Sequence, residues 1–412
     1  MKKITGVLMS LMIVAILGLG CVGTTEKVSD ESVDITIGAL LPLTGNLASI
    51  GEASHSALEL SAGDINGYFS ELGSGKNVEL IVKDTGSDPE TALEQLKELN
   101  GMGIKIVIGP QGSNEAEAVL EYANENGIIL LSTASTAPSL AIPGDNLFRL
   151  VPDDTNQGMI LASLMKEEGT TTIIPIYRND TWGSGLADEV EKSLEILDGT
   201  VLEGVTYETD NLDLSTEVES LNEKVVAATS EYDEGSIAVV LCSYGEVTEI
   251  FTLAQNYPAL SEVNWYGTDG MALNKGLIDN DSAAGFAVAT NLKAPMYGYM
   301  GSNDIYQATV PRIEQQLGRI PESYALTAYD ALWIATFVDL DAIPENDGSI
   351  KTAMDTLTDT YYGVSGWTML NENGDRKYWE YEIWTVTEEN ESYQWEKDEM
   401  VMLRGERLIF IR

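Results

Sequence analysis

Along this chain the apolar residues switch repeatedly between a period of two and a period of about 3.6, and that alternation constrains the fold more than any other feature. Ile35 to Leu41 reads as a strand, and Gly51 to Asn66 as a helix in which Leu58, Ala62 and Ile65 share one face. Val78 to Lys83 is the next strand. Asp88 and Pro89 then supply a cap and a first-turn proline, Ala92, Leu96 and Leu99 an apolar stripe, and Gly101 a stop. A strand over Lys105 to Ile108, a helix marked by Ala116, Val119, Leu120 and Ala123, and a strand over Ile128 to Leu131 close the series. Strands alternating with helices of this length predict right-handed βαβ crossovers, hence a parallel sheet covered on both faces.

The alternation resumes after Pro152, with helices over 156–167, 184–197, 215–228 and 246–256 and strands over 172–177, 201–207, 237–241 and 263–267. Phe286 to Thr290 and the apolar helix Tyr324 to Leu340 are expected to return to the first unit. At 412 residues the chain exceeds the roughly 100 to 200 residues of one domain. The expected fold class is α/β, with two doubly wound parallel-sheet lobes: 35–152 plus 286–366, and 153–285 plus 367–412. More than one crossing between lobes makes a multi-strand hinge with a ligand cleft between them.

The N-terminus has a different character. Lys2 and Lys3 precede a charge-free stretch, Ile4 to Gly20, ending in small residues before Cys21, the pattern of an export signal over 1–20. The small residues before Cys21 resemble a lipobox, which makes Cys21 the lipidated first residue of a mature protein on the outer face of the cytoplasmic membrane. The alternative is an uncleaved anchor helix, since this stretch lies at the lower edge of a span. Residues 21–34 read as a flexible tether, and only Cys242 remains in the body. A formal charge of −43, spread along the whole chain, argues against nucleic acid and anionic membrane as partners because phosphates would be repelled.

The chemistry denied by the sequence is as informative. With His55 as the single histidine, no His-rich zinc site can be assembled; His55 itself lies on the first helix and reads as structural or surface, so no Ser-His-Asp triad is expected, and no dinucleotide or P-loop glycine motif is present. No catalytic residue, metal or cofactor is expected. Two small, hydroxyl-rich clusters instead follow successive buried strands: Gln111, Gly112 and Ser113, then Ala134, Ser135 and Thr136. Open α/β sheets bind small ligands at such strand ends. Ser113 either caps the following helix or gives its hydroxyl to a bound anion beside that helix's free N–H groups. Ser135 and Thr136 are either ligand contacts or ordinary turn hydroxyls before Pro138.

Several segments together carry a resemblance: Ile-Gly-Ala-Leu-Leu-Pro-Leu-Thr-Gly at 37–45, Val-Ile-Gly-Pro at 107–110, Leu-Leu-Ser-Thr-Ala-Ser-Thr at 130–136, and Asp-Thr-Trp-Gly-Ser-Gly at 180–185. With Ser-Tyr-Ala-Leu-Thr-Ala-Tyr-Asp-Ala at 323–331 and Asn-Gly-Asp-Arg at 373–376, the chain resembles the leucine/isoleucine/valine-binding family of solute receptors for ATP-driven importers, a branch of the type I periplasmic-binding fold. The resemblance implies that Ser113, with backbone around Gln111 and Gly112, binds a ligand carboxylate. The Ala134 carbonyl and Thr136 hydroxyl would hold an ammonium, Asp269 would be its acidic partner from the second lobe, and Trp182 and Tyr244 would cover the ligand. The alternative for Asp269 is a loop cap, and for the two aromatics plain loop or core residues. Two positions depart from the family's pattern: Ile50 stands where some relatives have a polar or aromatic contact, and Asp269 is one methylene shorter than the Glu of close amino-acid binders.

The implied activity is capture and handover by a monomer: an amino acid (leucine-like, polar or aromatic) or a small amide is enclosed and passed to membrane permease subunits. A sensor acting through a separate signalling protein is the rival reading.

Overall fold

In the computed structural model, which describes residues 33–210, 213–298, 303–341, 350–404 and 407–411, the first apolar run forms strand β1 (Val33–Leu41). It joins β2 (Lys76–Asp84), β3 (Ile106–Ile108), β4 (Ile129–Ser132) and β5 (Leu147–Arg149) in one parallel sheet of order β2-β1-β3-β4-β5. Register places Ala39 opposite Ile108, and Ile108 opposite Leu131. The two-residue period then sorts side chains by face. Ile37, Ala39, Leu41 and Ile108 pack with Leu58, Ile65, Ala328 and Leu332 from helices Ala48–Glu71 and Ser323–Asp341. Leu40, Val107 and Leu130 pack on the other face with Leu96 and Val119 from helices Pro89–Gly101 and Ser113–Asn126. Both faces are apolar because both are covered.

The first helix begins one turn before the expected Gly51, and that glycine has a packing reason. A Cβ at Gly51 would fall 2.1 Å from the Pro42 carbonyl oxygen, so only glycine lets the helix lie this close to the end of β1.

A second parallel sheet holds β6 (Thr172–Arg178), β7 (Thr200–Val201), β8 (Val205–Tyr207), β9 (Ile237–Cys242) and β10 (Asn264–Tyr266) in order β10-β9-β6-β7, with β8 also paired to β6. The strand expected over 201–207 is thus two short pieces. Between them Gly204 lies against the Pro175 carbonyl, where a Cβ would meet oxygen at 2.5 Å. Asp153 and Asp180 cap the helices Asp154–Glu167 and Thr181–Ile196, accepting from Thr155 N–H at 3.1 Å and Gly183 N–H at 2.8 Å.

Three sequence expectations are corrected. Phe286 to Thr290 does not return to the first sheet: Phe286 lies in helix Asp281–Ala289 and packs edge-on against Trp265 of β10, with ring centroids 5.3 Å apart. Strand β11 (Ala294–Gly298) follows it. Beyond the short hairpin β12 (Tyr362–Gly363) and β13 (Gly366–Trp367) come three antiparallel strands, β14 (Glu380–Glu389), β15 (Ser392–Arg404) and β16 (Arg407–Ile411). They make a sheet of order β11-β14-β15-β16, whose Tyr381, Ile383 and Trp395 join the core of the second lobe. Finally, residues 33 and 34, assigned to the tether, already pair with residues 76 and 77 in β1. The expected export signal and Cys21 lie outside the described residues. Among those described, Cys242 is a buried free thiol, and no helix is long and apolar enough to cross a membrane.

The chain passes between the lobes after β5, after β11 and before β14. The first and third passages run side by side, with Arg149 N–H donating to the Gly374 carbonyl at 2.8 Å and Arg376 N–H to that of Val151 at 3.2 Å. The Arg149 guanidinium, fully buried, meets the Asp375 carboxylate at 2.5 Å.

Candidate functional site

The two hydroxyl-rich loops leave adjacent parallel strands, β3 and β4, at the same sheet edge, and side chains tie them together. The Ser132 hydroxyl donates to the Pro110 carbonyl at 2.6 Å. The Gln111 amide donates to the hydroxyls of Ser54 at 2.7 Å and Thr133 at 3.0 Å. Thr133's carbonyl accepts from Thr327 at 2.9 Å, which fixes the second loop to helix Ser323–Asp341. Ala134 is half-buried, and Ser135 is buried with no hydrogen-bond partner for its hydroxyl among the described residues.

Ser113 is not the helix cap; Gly112 holds that position and its N–H donates to Glu115 Oε2 at 2.8 Å. Ser113 is the first helical residue, and its Oγ accepts from the backbone N–H groups of Thr136 and Ala137, each at 3.1 Å. Both acceptor positions of the hydroxyl are filled, so what remains to offer is its proton. Thr136 has the opposite polarity. Its hydroxyl donates to Asp154 Oδ2 at 2.8 Å, leaving lone pairs to accept.

Asp154 and Asp269 are both buried and no ion pair reaches either among the described residues. One glutamine links them: the Gln157 amide donates to Asp154 Oδ1 at 2.7 Å, and its oxygen accepts the Asp269 N–H at 2.9 Å. The Tyr324 hydroxyl donates to Asp269 Oδ2, while Asp269 Oδ1 has no hydrogen-bond partner among the described residues. Burial pushes both carboxyls above the ordinary Asp value, and the charge of Asp269 raises Asp154 further. Glu115, beneath the first loop, is likewise pushed up to about 7 by burial, against the pull of the Gly112 amide.

Trp182 and Tyr244 stack on each other with ring centroids 4.4 Å apart and planes inclined by 25°. The Arg178 guanidinium lies 4.1 Å from the Tyr244 centroid, held by Glu246 and by Asp180 at 2.8 Å. Gly270, the residue after Asp269, fits against the pair: a Cβ there would come within 2.6 Å of Tyr244 and 2.7 Å of Trp182. The aromatic stack and Asp269 are therefore one packed unit. Leu47 and Ile50 belong to the same apolar cluster, and the lobes touch directly. The Asn46 carbonyl accepts the Gly245 N–H at 3.0 Å, the Asn46 amide donates to Glu246 at 2.9 Å, and the Thr181 hydroxyl donates to Glu117. This is a closed arrangement.

The structure thus brings Ser113 and Thr136 together, and Asp269 together with Trp182 and Tyr244. Sequence reasoning missed Asp154, Gln157 and Tyr324. Asp154 looks like an ordinary first-turn acid after the cap Asp153; its position straight after the first hinge crossing was the available signal.

A family model described as "Periplasmic binding protein" matches residues 34–375. An uncharacterized protein of Methanocaldococcus jannaschii is 29% identical over 89% of this chain and 90% of its own length. A Leu/Ile/Val-binding protein of Rhizobium johnstonii, BraC3, is 26% identical over 63% of this chain and 67% of its own. Among solved structures, the leucine binding protein LivK of Thermotoga maritima superposes with a TM-score of 0.70 at 20% identity, over 88% of this chain and 97% of that one, which shows the same type I fold. With a match running through both parallel sheets and ending at Asp375 in the hinge, the chain belongs to the periplasmic binding protein family.

Proposed function

We propose that this chain is the extracytoplasmic solute receptor of an ATP-driven importer, enclosing an amino acid with a branched or related side chain between its lobes and delivering it to permease subunits. The opposite polarity of two hydroxyls carries the reading: Ser113 offers a proton and Thr136 offers lone pairs. A zwitterion presents the complementary set, a carboxylate for Ser113 and an ammonium for Thr136. The carboxylate would also meet backbone around Gln111 and Gly112 and the positive end of helix Ser113–Asn126. The ammonium would meet the Ala134 carbonyl and the buried charge of Asp269 and Asp154. Ser135 completes the second loop. Trp182, Tyr244 and Ile50 supply apolar surface for the ligand side chain. Ligand favours closure by its higher affinity for the closed form.

Calorimetry with three related molecules tests this. L-Leucine is expected to bind at micromolar Kd or tighter, about −8 kcal/mol. 4-Methylpentanoate and isoamylamine keep its side chain and delete one charge each, and are expected to bind at least about a hundredfold more weakly. Ser113→Ala should cost leucine about tenfold by removing one charge-assisted bond. Binding of 4-methylpentanoate as tight as that of leucine would sink the ammonium assignment. Attachment through a lipid on Cys21 completes the proposal: Cys21→Ser should release the protein from the membrane fraction, and its retention there would refute the anchor.

A further inference from the structure

A cavity of about 580 Å³ lies on the hinge, and none of the cleft residues above lines it. Its walls come from both sides of the hinge. Tyr362, Ser365 and Trp367 belong to the β12–β13 hairpin, which is tied to the first lobe by Asp330 of helix Ser323–Asp341, accepting from the N–H groups of Val364 at 2.9 Å and Ser365 at 2.8 Å. Leu403 and Arg404 come from β15 of the antiparallel sheet, whose core belongs to the second lobe. Arg376 and Lys377 come from the crossing between them.

Two features of this cavity are out of keeping with the rest of the molecule. Its charge is reversed: three of its wall residues are basic (Arg376, Lys377, Arg404) and one, Glu380, is acidic, whereas the whole chain has 66 acids to 23 bases. Two of its aromatics are exposed yet fixed. Trp367 and Tyr378 are 42% and 48% exposed, stacked with centroids 5.4 Å apart and planes inclined by 26°. The indole N–H of Trp367 donates to the Asp359 carbonyl at 3.0 Å, which holds the ring in place. Every other tryptophan is at least half-buried among the described residues. Stacked aromatic area normally contributes by being removed from water, so a fixed pair left at a cavity wall presents a ready face for a flat ring. The Arg376 guanidinium, buried and 5.2 Å from the Tyr297 ring, has an Nε–H without a partner among the described residues. Lys377 and Arg404 add two cations at the rim.

We infer that this hinge cavity is a second ligand site, taking a planar aromatic anion whose ring packs on the Trp367 end of the stack, Lys377 Nζ lying over the Tyr378 ring at 5.7 Å, and whose negative group meets Arg376, Lys377 and Arg404. Because the walls move with different lobes, such a ligand would bind the open and closed forms unequally and so bias closure.

Titration calorimetry of the full chain with indole-3-acetate, and with tryptamine as the same ring of opposite charge, tests the site. Indole-3-acetate is expected to bind with one-to-one stoichiometry and at least about tenfold more tightly than tryptamine. Trp367→Ala should weaken it about tenfold, as should the surface substitution Arg404→Glu, which leaves the core untouched. Asp269→Asn should leave it unchanged. Absence of binding at millimolar concentration, equal affinity for the two probes, or an affinity that responds to Asp269→Asn but not to Trp367→Ala would each overturn the inference. A dimer of the untreated protein that Trp367→Ala dissociates would also overturn it, by making the cavity a contact between copies.

Discussion

Asp269→Asn is expected to weaken leucine binding by about a hundredfold or more while raising the melting temperature of the unliganded protein. The two effects have one cause. Asp154 and Asp269 are buried, each disfavours ionisation of the other, and no cation pairs with either among the described residues. Asparagine keeps the shape and can still accept from Tyr324, but carries no charge to oppose Asp154 or to hold an ammonium. The pH dependence follows with a definite sign. A carboxyl raised above its ordinary value of 3.8 favours the fold below that value and opposes it as pH climbs through the folded value. Unliganded stability should therefore fall from about pH 4 toward neutrality, and the substitution should flatten that slope. An ammonium between the carboxylates pulls both pKa values down, so leucine affinity should rise with pH over the same interval, with protons released on binding. Calorimetry in buffers of different ionisation enthalpy reads the release directly. Normal leucine affinity in Asp269→Asn would remove Asp269 from the site.

Arg149→Met is expected to cost about 3 kcal/mol or more of folding stability, the largest stability loss of any single change considered. Arg149 is fully buried between two hinge passages, paired to Asp375 at 2.5 Å and donating to the Ala137 carbonyl at 2.8 Å. Methionine would fill much of the space but strand the Asp375 charge, which burial already pushes toward protonation against the pull of Arg149. The double variant Arg149→Met/Asp375→Leu removes both charges and should recover part of the loss. Chemical denaturation of both variants checks this. If Arg149→Met unfolds at the same denaturant concentration as the parent, the pair contributes nothing to the hinge.

The parallel sheets were legible because their central strands are buried on both faces and separated by amphipathic helices whose caps, Asp88 and Pro89 among them, are local. Phe286 to Thr290 misled because Phe286 and Val288 alternate with small residues and imitate a strand. The cap that decides for helix, Asn280 accepting from Ser282 and Ala283 N–H, lies six residues upstream. At the site, loops that follow adjacent strands could be placed from sequence, so Ser113 and Thr136 were expected to converge. What each hydroxyl has left to offer could not be read, since Ser113's acceptor positions are filled from residues 136 and 137, and Thr136's proton goes to residue 154. Tyr324 reaches Asp269 from 55 residues away, a pairing no local pattern announces.

The bonds from Ser132 to Pro110, from Gln111 to Thr133, and from the backbone of residues 136 and 137 to Ser113 lock the first lobe's two loops into one rigid piece. For a solute held as proposed, that rigidity separates the timing of capture from the timing of release. Capture needs no rearrangement of this half-site, so its rate is set by diffusion into the open cleft. For such a solute, residence time would be set instead by how often the contacts between the lobes break, those of Asn46 with Gly245 and Glu246 and of Thr181 with Glu117 among them, which places the clock where the two lobes meet.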